Sequence, residues 1–290
     1  MPELPEVETI ARGLNQRVSG DVIESVWLGE KPEPLKSPAP QIASALEHTR
    51  ILAVHRVGKH IIFDLDRVER APSPAKGRKL KPELKLPRPR TTAQFIVHLG
   101  MSGRLQVCDP QSEIVKHTHA IAKLASGREL RFVDPRRFGR LSVAASGDFE
   151  AAGIEPLETD LEHFIALFRG RKTPIKSALL NQKLLRGVGN IYADESLFRA
   201  KIRPRRRAST LTRDQLAKLF KAVQEVLREA IALGGSSISD YVDSDGEEGF
   251  FQLKHRVYGR EGKPCLVCKT PIKRIVIGGR SSHYCPKCQK

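Results

Sequence analysis

The sequence has no run approaching the ~18 uninterrupted apolar residues of a membrane-spanning helix, so no helical membrane protein is expected. Its first residues, Met1-Pro-Glu-Leu-Pro-Glu-Val-Glu8, are acidic and lack an apolar core, unlike a secretory signal. Both absences point to a cytoplasmic protein. No internal repeat stands out, and no sustained heptad marks a dimerisation helix, so a monomer is expected. Cysteine is scarce, with five among 290 residues, and no βαβ pattern surrounds them that would suggest a redox fold.

What is present is charge and enough apolar material to fold. A chain of 290 residues suits about two domains, and 40% hydrophobic residues exclude a disordered basic tail. The formal net charge is +17, of which residues 66–90 carry +6 and residues 254–290 carry +9. Positive charge concentrated in this way selects a polyanionic partner, nucleic acid first and an anionic membrane second.

Four of the cysteines form two C-x-x-C pairs, Cys265/Cys268 and Cys285/Cys288, separated by sixteen residues. That is the spacing of a zinc ribbon, in which two tight turns converge four thiolates on one ion. Disulfides are the competing reading, but they belong to exported chains. With four sulfurs around it, the ion has no open position, so its expected role is structural. Cys108 lies in a strand-like run and is expected to be a partly buried thiol without a role.

Periodicity orders the rest. Val7, Ile10, Ala11 and Leu14 make one helical stripe within residues 5–14. Strand-like runs follow at 21–28, 51–65, 92–99, 104–108, 119–124, 129–133 and 140–144, the pattern of a sandwich or barrel. Residues 66–90 hold five prolines among basic residues and read as an exposed, disordered loop between strands. Residues 146–160 read as a linker, and a helical period begins near 161. The clearest helix starts at Thr212, where Thr212 and Gln215 match a capping box, and stops at Gly234-Gly235.

Several residues invite chemistry. Initiator Met is normally trimmed before proline, which would make Pro2 a terminal secondary amine. An α-amino group has a pKa of roughly 8, so it is partly unprotonated near neutrality and can attack a sugar C1′ to form an iminium. Glu3 beside it can serve as acid and base. His98-Leu-Gly-Met-Ser-Gly103 and Asp134-Pro-Arg-Arg-Phe-Gly139 are glycine-bearing turns, and an arginine beside an aromatic on such a turn is suited to wedging between bases. In Gly187-Val-Gly-Asn190, backbone amides can approach a phosphate closely, although a plain helix connection looks the same.

Taken together, PELPEVE, HLGMSG, DPRRFG, GVGNIYADE, YGREGKPC and the closing cysteine pair resemble bacterial formamidopyrimidine-DNA glycosylase, in order, from residue 2 to 290. The resemblance implies an α+β multidomain fold. An N-terminal β-sandwich flanked by helices (1–148, with 66–90 as an insertion) precedes a helix–two-turn–helix domain (157–253) and a four-cysteine zinc finger (254–290), with DNA across the cleft between them. It also implies excision of oxidised purines followed by β,δ-elimination, one structural Zn²⁺, double-stranded DNA as partner and no small-molecule cofactor. The enzyme would be associated with the nucleoid.

Carried over by position, Pro2 resembles the Schiff-base nucleophile and Glu3 its acid/base partner. Lys59 resembles the lysine of β-elimination, and Arg280 the zinc-finger arginine of δ-elimination. Met101, Arg136 and Phe138 resemble the triad filling the gap left by the extruded nucleotide. Asn190, His117, Arg171, Lys176 and His98 resemble further DNA contacts. The basic stretch 66–90 departs from the family, whose hairpin there is short. Two alternatives remain open at this point: an endonuclease VIII-like enzyme acting on oxidised pyrimidines, and an inert zinc-ribbon DNA-binding protein.

Overall fold

The computed structural model describes residues 1–68, 92–145, 147, 149–237, 242–244 and 246–290. The greater part of the 66–90 stretch thus lies outside the described residues. Among them, no helix is long and apolar enough to cross a membrane. Contacts divide the chain into two compact units. One gathers Met1–Ile10, Arg56–His60 and Glu150–Lys290; the other gathers Ala11–His55 and Ile61–Phe149.

The division falls within the first helix, α1 (Leu4–Val18). Its stripe of Leu4, Val7, Ile10, Ala11, Leu14 and Val18 is buried, as the 3.6-residue period requires. The second unit is built on eight strands: β1 (Val22–Leu28), β2 (Thr49–Val57), β3 (His60–Arg67), β4 (Ala93–His98), β5 (Arg104–Cys108), β6 (Thr118–Leu124), β7 (Glu129–Val133) and β8 (Arg140–Ala145). They pair in the single order β5-β7-β6-β1-β2-β3-β4-β8. All five residues of β7 are buried, as in a strand covered on both faces. Its two charges satisfy each other, with Arg131 Nε donating to Glu129 Oε2 at 2.8 Å.

One local expectation is corrected here, and one element carried no expectation. The run 51–65 is two strands rather than one, because Gly58 turns the chain with φ +60°, a conformation glycine adopts without a Cβ penalty. A short helix, α2 (Ala39–Leu46), buries only Ile42 and Leu46. Two apolar positions on eight residues are too few to show a period.

The first unit is helical: α3 (Leu161–Phe168), α4 (Ile175–Leu180), α5 (Asn190–Arg199) and α6 (Arg213–Ala232) surround a core that includes Leu4, Phe164, Phe168, Tyr192 and Phe251. The capping box on α6 is present, with Gln215 N–H donating to Thr212 Oγ1 and Thr212 N–H to Gln215 Oε1. The helix ends before Gly234 and Gly235, both with positive φ. A hairpin of β9 (Lys273–Ile277) and β10 (Arg280–Tyr284) belongs to the cysteine-bearing end. Phe198 on α5, Val257 and Ile272 pack with Cys265 and Cys285 in a small core of its own.

The expected linker 146–160 is more than a linker. Ile154 N–H donates to Leu184 and Arg186 N–H donates back to Ile154, while Glu155 is buried. A carboxylate that far from water needs partners, and it finds four donors, described below.

Candidate active site

Glu3 and the residues around it lie within the first unit. Its carboxyl is buried against the N-terminus of α5, where Oε1 accepts Ile191 N–H at 3.2 Å. Burial raises its pKa to about 7, outweighing the opposing pull of the Lys59 charge and of the helix amides. Oε2 has no hydrogen-bond partner among the described residues. Glu3 is therefore a carboxyl held where it can exchange a proton near neutrality. Gly189 precedes the helix because a Cβ there would sit 2.1 Å from the Glu3 carboxyl carbon. The amide of Ile191, one residue past the Gly187–Asn190 turn, thus donates to a carboxyl of the protein itself.

Glu6, one turn along α1, organises the same region. Its Oε2 accepts the Glu3 backbone N–H at 2.8 Å, and Oε1 accepts the Ser236 N–H at 2.8 Å and the Tyr192 hydroxyl. Residue 2, immediately before Glu3 in the chain, is buried, and Met1 before it is exposed.

Lys59 sits on the β2–β3 turn and is buried. Burial lowers its pKa, countered by Glu3 and Glu6 and reinforced by the Arg280 charge. The turn is fixed from 97 residues away by Glu155, whose Oε1 accepts Gly58 N–H at 2.7 Å. Arg56 grips the same carboxylate with two nitrogens at 2.8 and 2.9 Å, and Arg186 Nε donates to it at 3.0 Å. Sequence reading missed Glu155, which carries no local signal. Arg280 is exposed at the start of β10.

The four cysteines converge. Their sulfurs all lie within 4.8 Å of one another, with Cys265–Cys288 at 3.9 Å and Cys268–Cys285 at 3.4 Å. A tetrahedral Zn²⁺ with bonds of about 2.3 Å separates its sulfurs by about 3.8 Å, so the cage fits one zinc ion. Sulfur fills all four positions, and the ion's contribution is to hold the ribbon together.

The turns of the second unit form a separate group. Met101 and Phe138 are 42% and 53% exposed, which large apolar side chains tolerate when a partner covers them. The Arg136 guanidinium stands 5.1 Å from the Phe138 ring centroid, within cation–π reach. Gly100, φ +63°, lies against the Phe138 backbone, where a Cβ would meet the carbonyl carbon at 2.4 Å. One buried carboxylate joins these loops. Asp134 Oδ1 accepts the Ser102 hydroxyl at 2.7 Å and Arg136 N–H at 3.2 Å, and Oδ2 accepts Gly139 N–H at 2.7 Å. Asp134 N–H also donates to the carbonyl of His117, whose own φ is +69°. His98 Nδ1 accepts Gly100 N–H at 3.1 Å.

Of the remaining candidates, Arg171 is exposed, and Asn190 Nδ2 lies 3.5 Å from Ser281 Oγ. Lys176 is a correction. It is 0% exposed, with Nζ 2.7 Å from Asp194 Oδ1 and 2.6 Å from the Ser281 carbonyl. Its charge is satisfied inside the protein, so it is no direct DNA contact in this structure.

A buried carboxyl of near-neutral pKa, a partly desolvated lysine, an exposed arginine on a four-thiolate ribbon and an exposed aromatic–arginine turn define a zinc-ribbon enzyme built for a polyanion. Comparison with known proteins shows the family. Three family models match in succession: the formamidopyrimidine-DNA glycosylase N-terminal domain over residues 1–141, its H2TH domain over 152–242, and a zinc finger found in FPG and IleRS over 262–290. The chain is 43% identical to a formamidopyrimidine-DNA glycosylase of Solibacter usitatus and 37% identical to that of Listeria monocytogenes, over the whole of each chain. Among solved structures it resembles MutM (Fpg) of Thermus thermophilus, with 39% identity and TM-score 0.82 over 99% of this chain and 98% of that one. A Lactococcus lactis Fpg variant solved with DNA containing Fapy-dG aligns at 31% identity and TM-score 0.86 over all of both chains.

The chain belongs to the formamidopyrimidine-DNA glycosylase family. It is a base-excision repair enzyme, a DNA glycosylase and AP lyase for oxidised purines, which removes the two alternatives left open by the sequence.

Proposed function

We propose that this chain carries out the family's reaction on duplex DNA with Pro2 as nucleophile and Glu3 as its proton partner. The observation that carries this assignment is Glu3: a buried carboxyl adjacent to residue 2, with a pKa of about 7 and one oxygen unpartnered. The trimmed amine attacks C1′ of the damaged nucleotide, the bond from C1′ to the base breaks, and the base leaves with a proton. Glu3 then gives a proton to O4′, the C1′–O4′ bond breaks and the sugar ring opens to an iminium. This acidifies C2′, and loss of a C2′ proton expels the 3′-phosphate. Loss of a further proton then expels the 5′-phosphate. Lys59, whose pKa is lowered by burial, serves the first elimination. Arg280 offsets charge on the departing phosphate in the second.

A base inside a duplex cannot be attacked until it is extruded, at a cost of a few kcal/mol. Met101, Arg136 and Phe138 offset that cost by filling the vacated stack, with Arg136 directed at the orphaned cytosine. Asn190, His117, Arg171 and His98 hold backbone or base. Zinc, on Cys265, Cys268, Cys285 and Cys288, fixes the β9–β10 hairpin. We further propose a division of labour over residues 1–148, 157–253 and 254–290, and a monomer acting in the cytoplasm on nucleoid DNA.

The test is covalent trapping. A duplex with 8-oxoguanine opposite cytosine, treated with borohydride, should give a protein–DNA adduct that disappears in Pro2→Gly. Absence of an adduct from zinc-loaded wild type overturns the assignment.

A further inference from the structure

We propose that Asp194 is a positioning residue for Arg280: the buried Asp194–Lys176 pair holds the β9–β10 hairpin where its arginine can serve the second elimination. The inference rests on the role given above to Arg280.

Arg280 does not place itself. It is exposed, and among the described residues its guanidinium makes no hydrogen bond, so its position is set by the backbone that carries it. That backbone is gripped on one edge. Ser281 and His283 are alternate residues of β10, paired across the hairpin with Val276 and Arg274. The carbonyl of the first and the N–H of the second therefore face the same edge, the pair of groups a further strand would satisfy. No strand is there. Lys176 Nζ donates to the Ser281 carbonyl at 2.6 Å, and Asp194 Oδ2 accepts the His283 N–H at 2.8 Å. The two side chains close on each other at 2.7 Å, Nζ to Oδ1.

An ion pair on two helices thus does the work of a missing strand. Its members come from α4 and α5, and both are fully buried, where removing either ion would leave the other unpaired. The hairpin turn rests on the same helix: a Cβ at Gly278 would come within 3.3 Å of Ser177 Oγ, next to Lys176. The helices that carry Asn190 and the hairpin that carries Arg280 are thereby locked in one register. Sub-ångström placement matters for a cation that must meet charge only as it develops on a leaving phosphate.

The experiment uses the full-length, zinc-loaded enzyme on a duplex with one abasic site, in single turnover. It follows the ratio of δ- to β-elimination product alongside the rate of borohydride-trapped adduct. Asp194→Asn should lower the ratio about tenfold, towards that of Arg280→Ala, while the adduct rate stays within about twofold. Asp194→Asn combined with Arg280→Ala should be no lower than Arg280→Ala alone, since both act through one group. An unchanged ratio in Asp194→Asn, a parallel fall of ratio and adduct, or additive effects overturns the inference. If Arg280→Ala itself keeps the wild-type ratio, the role of Arg280 falls and the inference with it. If only Asp194→Asn keeps it, the inference falls alone. Should Asp194→Asn lose zinc, Lys176→Met with Asp194→Leu removes both edge hydrogen bonds without burying an unpaired charge and should lower the ratio in the same way. Loss of zinc from both shows that the pair serves the ribbon's folding, and overturns the inference as well.

Discussion

The Glu3 carboxyl occupies the space that a side chain at Gly189 would need: a Cβ there would lie 2.1 Å from its carboxyl carbon. The glycine before α5 is therefore required by a residue 186 positions away, and not by its own φ of −126°. Gly189→Ala should fold, yet displace Glu3. A shift of about 1 Å in a reacting group costs on the order of 100-fold in rate, so kcat for 8-oxoguanine excision should fall by that order. A variant with wild-type kcat would show that Glu3 acts from some other position.

The raised pKa of Glu3 has a sign that can be checked in stability. Its carboxyl is protonated in the fold up to about pH 7, whereas in the unfolded chain it ionises near 4.5. Folding is therefore penalised progressively as pH rises from 4.5 to 7, and fully above that, by at most about 3 kcal/mol. Glu3→Gln should melt at the same temperature as wild type near pH 4 and at a higher one at pH 8. The same substitution should remove any limb with a pKa of about 7 from the pH profile of excision. Equal melting temperatures across the range would contradict the assigned ionisation.

His255 carries the opposite sign. Burial lowers its pKa to about 4, between the edges of Phe251 and Tyr258 and 3.1 Å from Ser236 Oγ. It stays neutral in the fold while the unfolded chain takes up its proton below about 6.5, so stability is lost as pH falls from 6.5 to 4. His255→Phe should flatten that acid limb in a denaturation series, by no more than about 3 kcal/mol at pH 4.

Zinc should behave as a folding ligand. Chelation, or Cys265→Ser, should release the metal, unfold the β9–β10 hairpin and abolish DNA binding, since structural zinc contributes on the order of 10 kcal/mol. Circular dichroism of the strand-rich unit should change little. Retained DNA affinity in the metal-free protein would argue that the ribbon is dispensable for grip.

The basic stretch 66–90 offers a salt-dependence test. If its +6 charge contacts DNA, deletion should reduce the slope of log affinity against log salt by up to about 5, with adduct formation at low salt preserved. An unchanged slope would assign the stretch to a tolerated surface insertion.

Much of this protein was legible along the chain because the signals are local. The C-x-x-C spacing determines a four-sulfur cage, the Thr212–Gln215 box starts α6, and two glycines end it. Strand-like runs followed by helical periods gave the order of the two kinds of architecture. Where signals were short or mixed, local reading failed: the turn at Gly58 lay inside an apolar run, and α2 buries only two apolar residues.

Tertiary structure decided the site. The sequence places Glu3 at one end of the chain and Arg280 at the other, and nothing in their spacing announces that residues 1–10 and 56–60 pack with 150–290. Burial, which no single-sequence pattern measures, turned Glu3 into a group that titrates near neutrality and withdrew Lys176 from the DNA into an ion pair. Long-range hydrogen bonds made Glu155 the holder of the Lys59 turn, and Asp194 the holder of the Arg280 hairpin from 89 residues away. The sequence alone determined the metal cage and the elements, whose causes lie within one turn or one strand. The fold decided charge states and contacts, because desolvation and carboxylate–amide pairing depend on neighbours the chain brings together only when it closes.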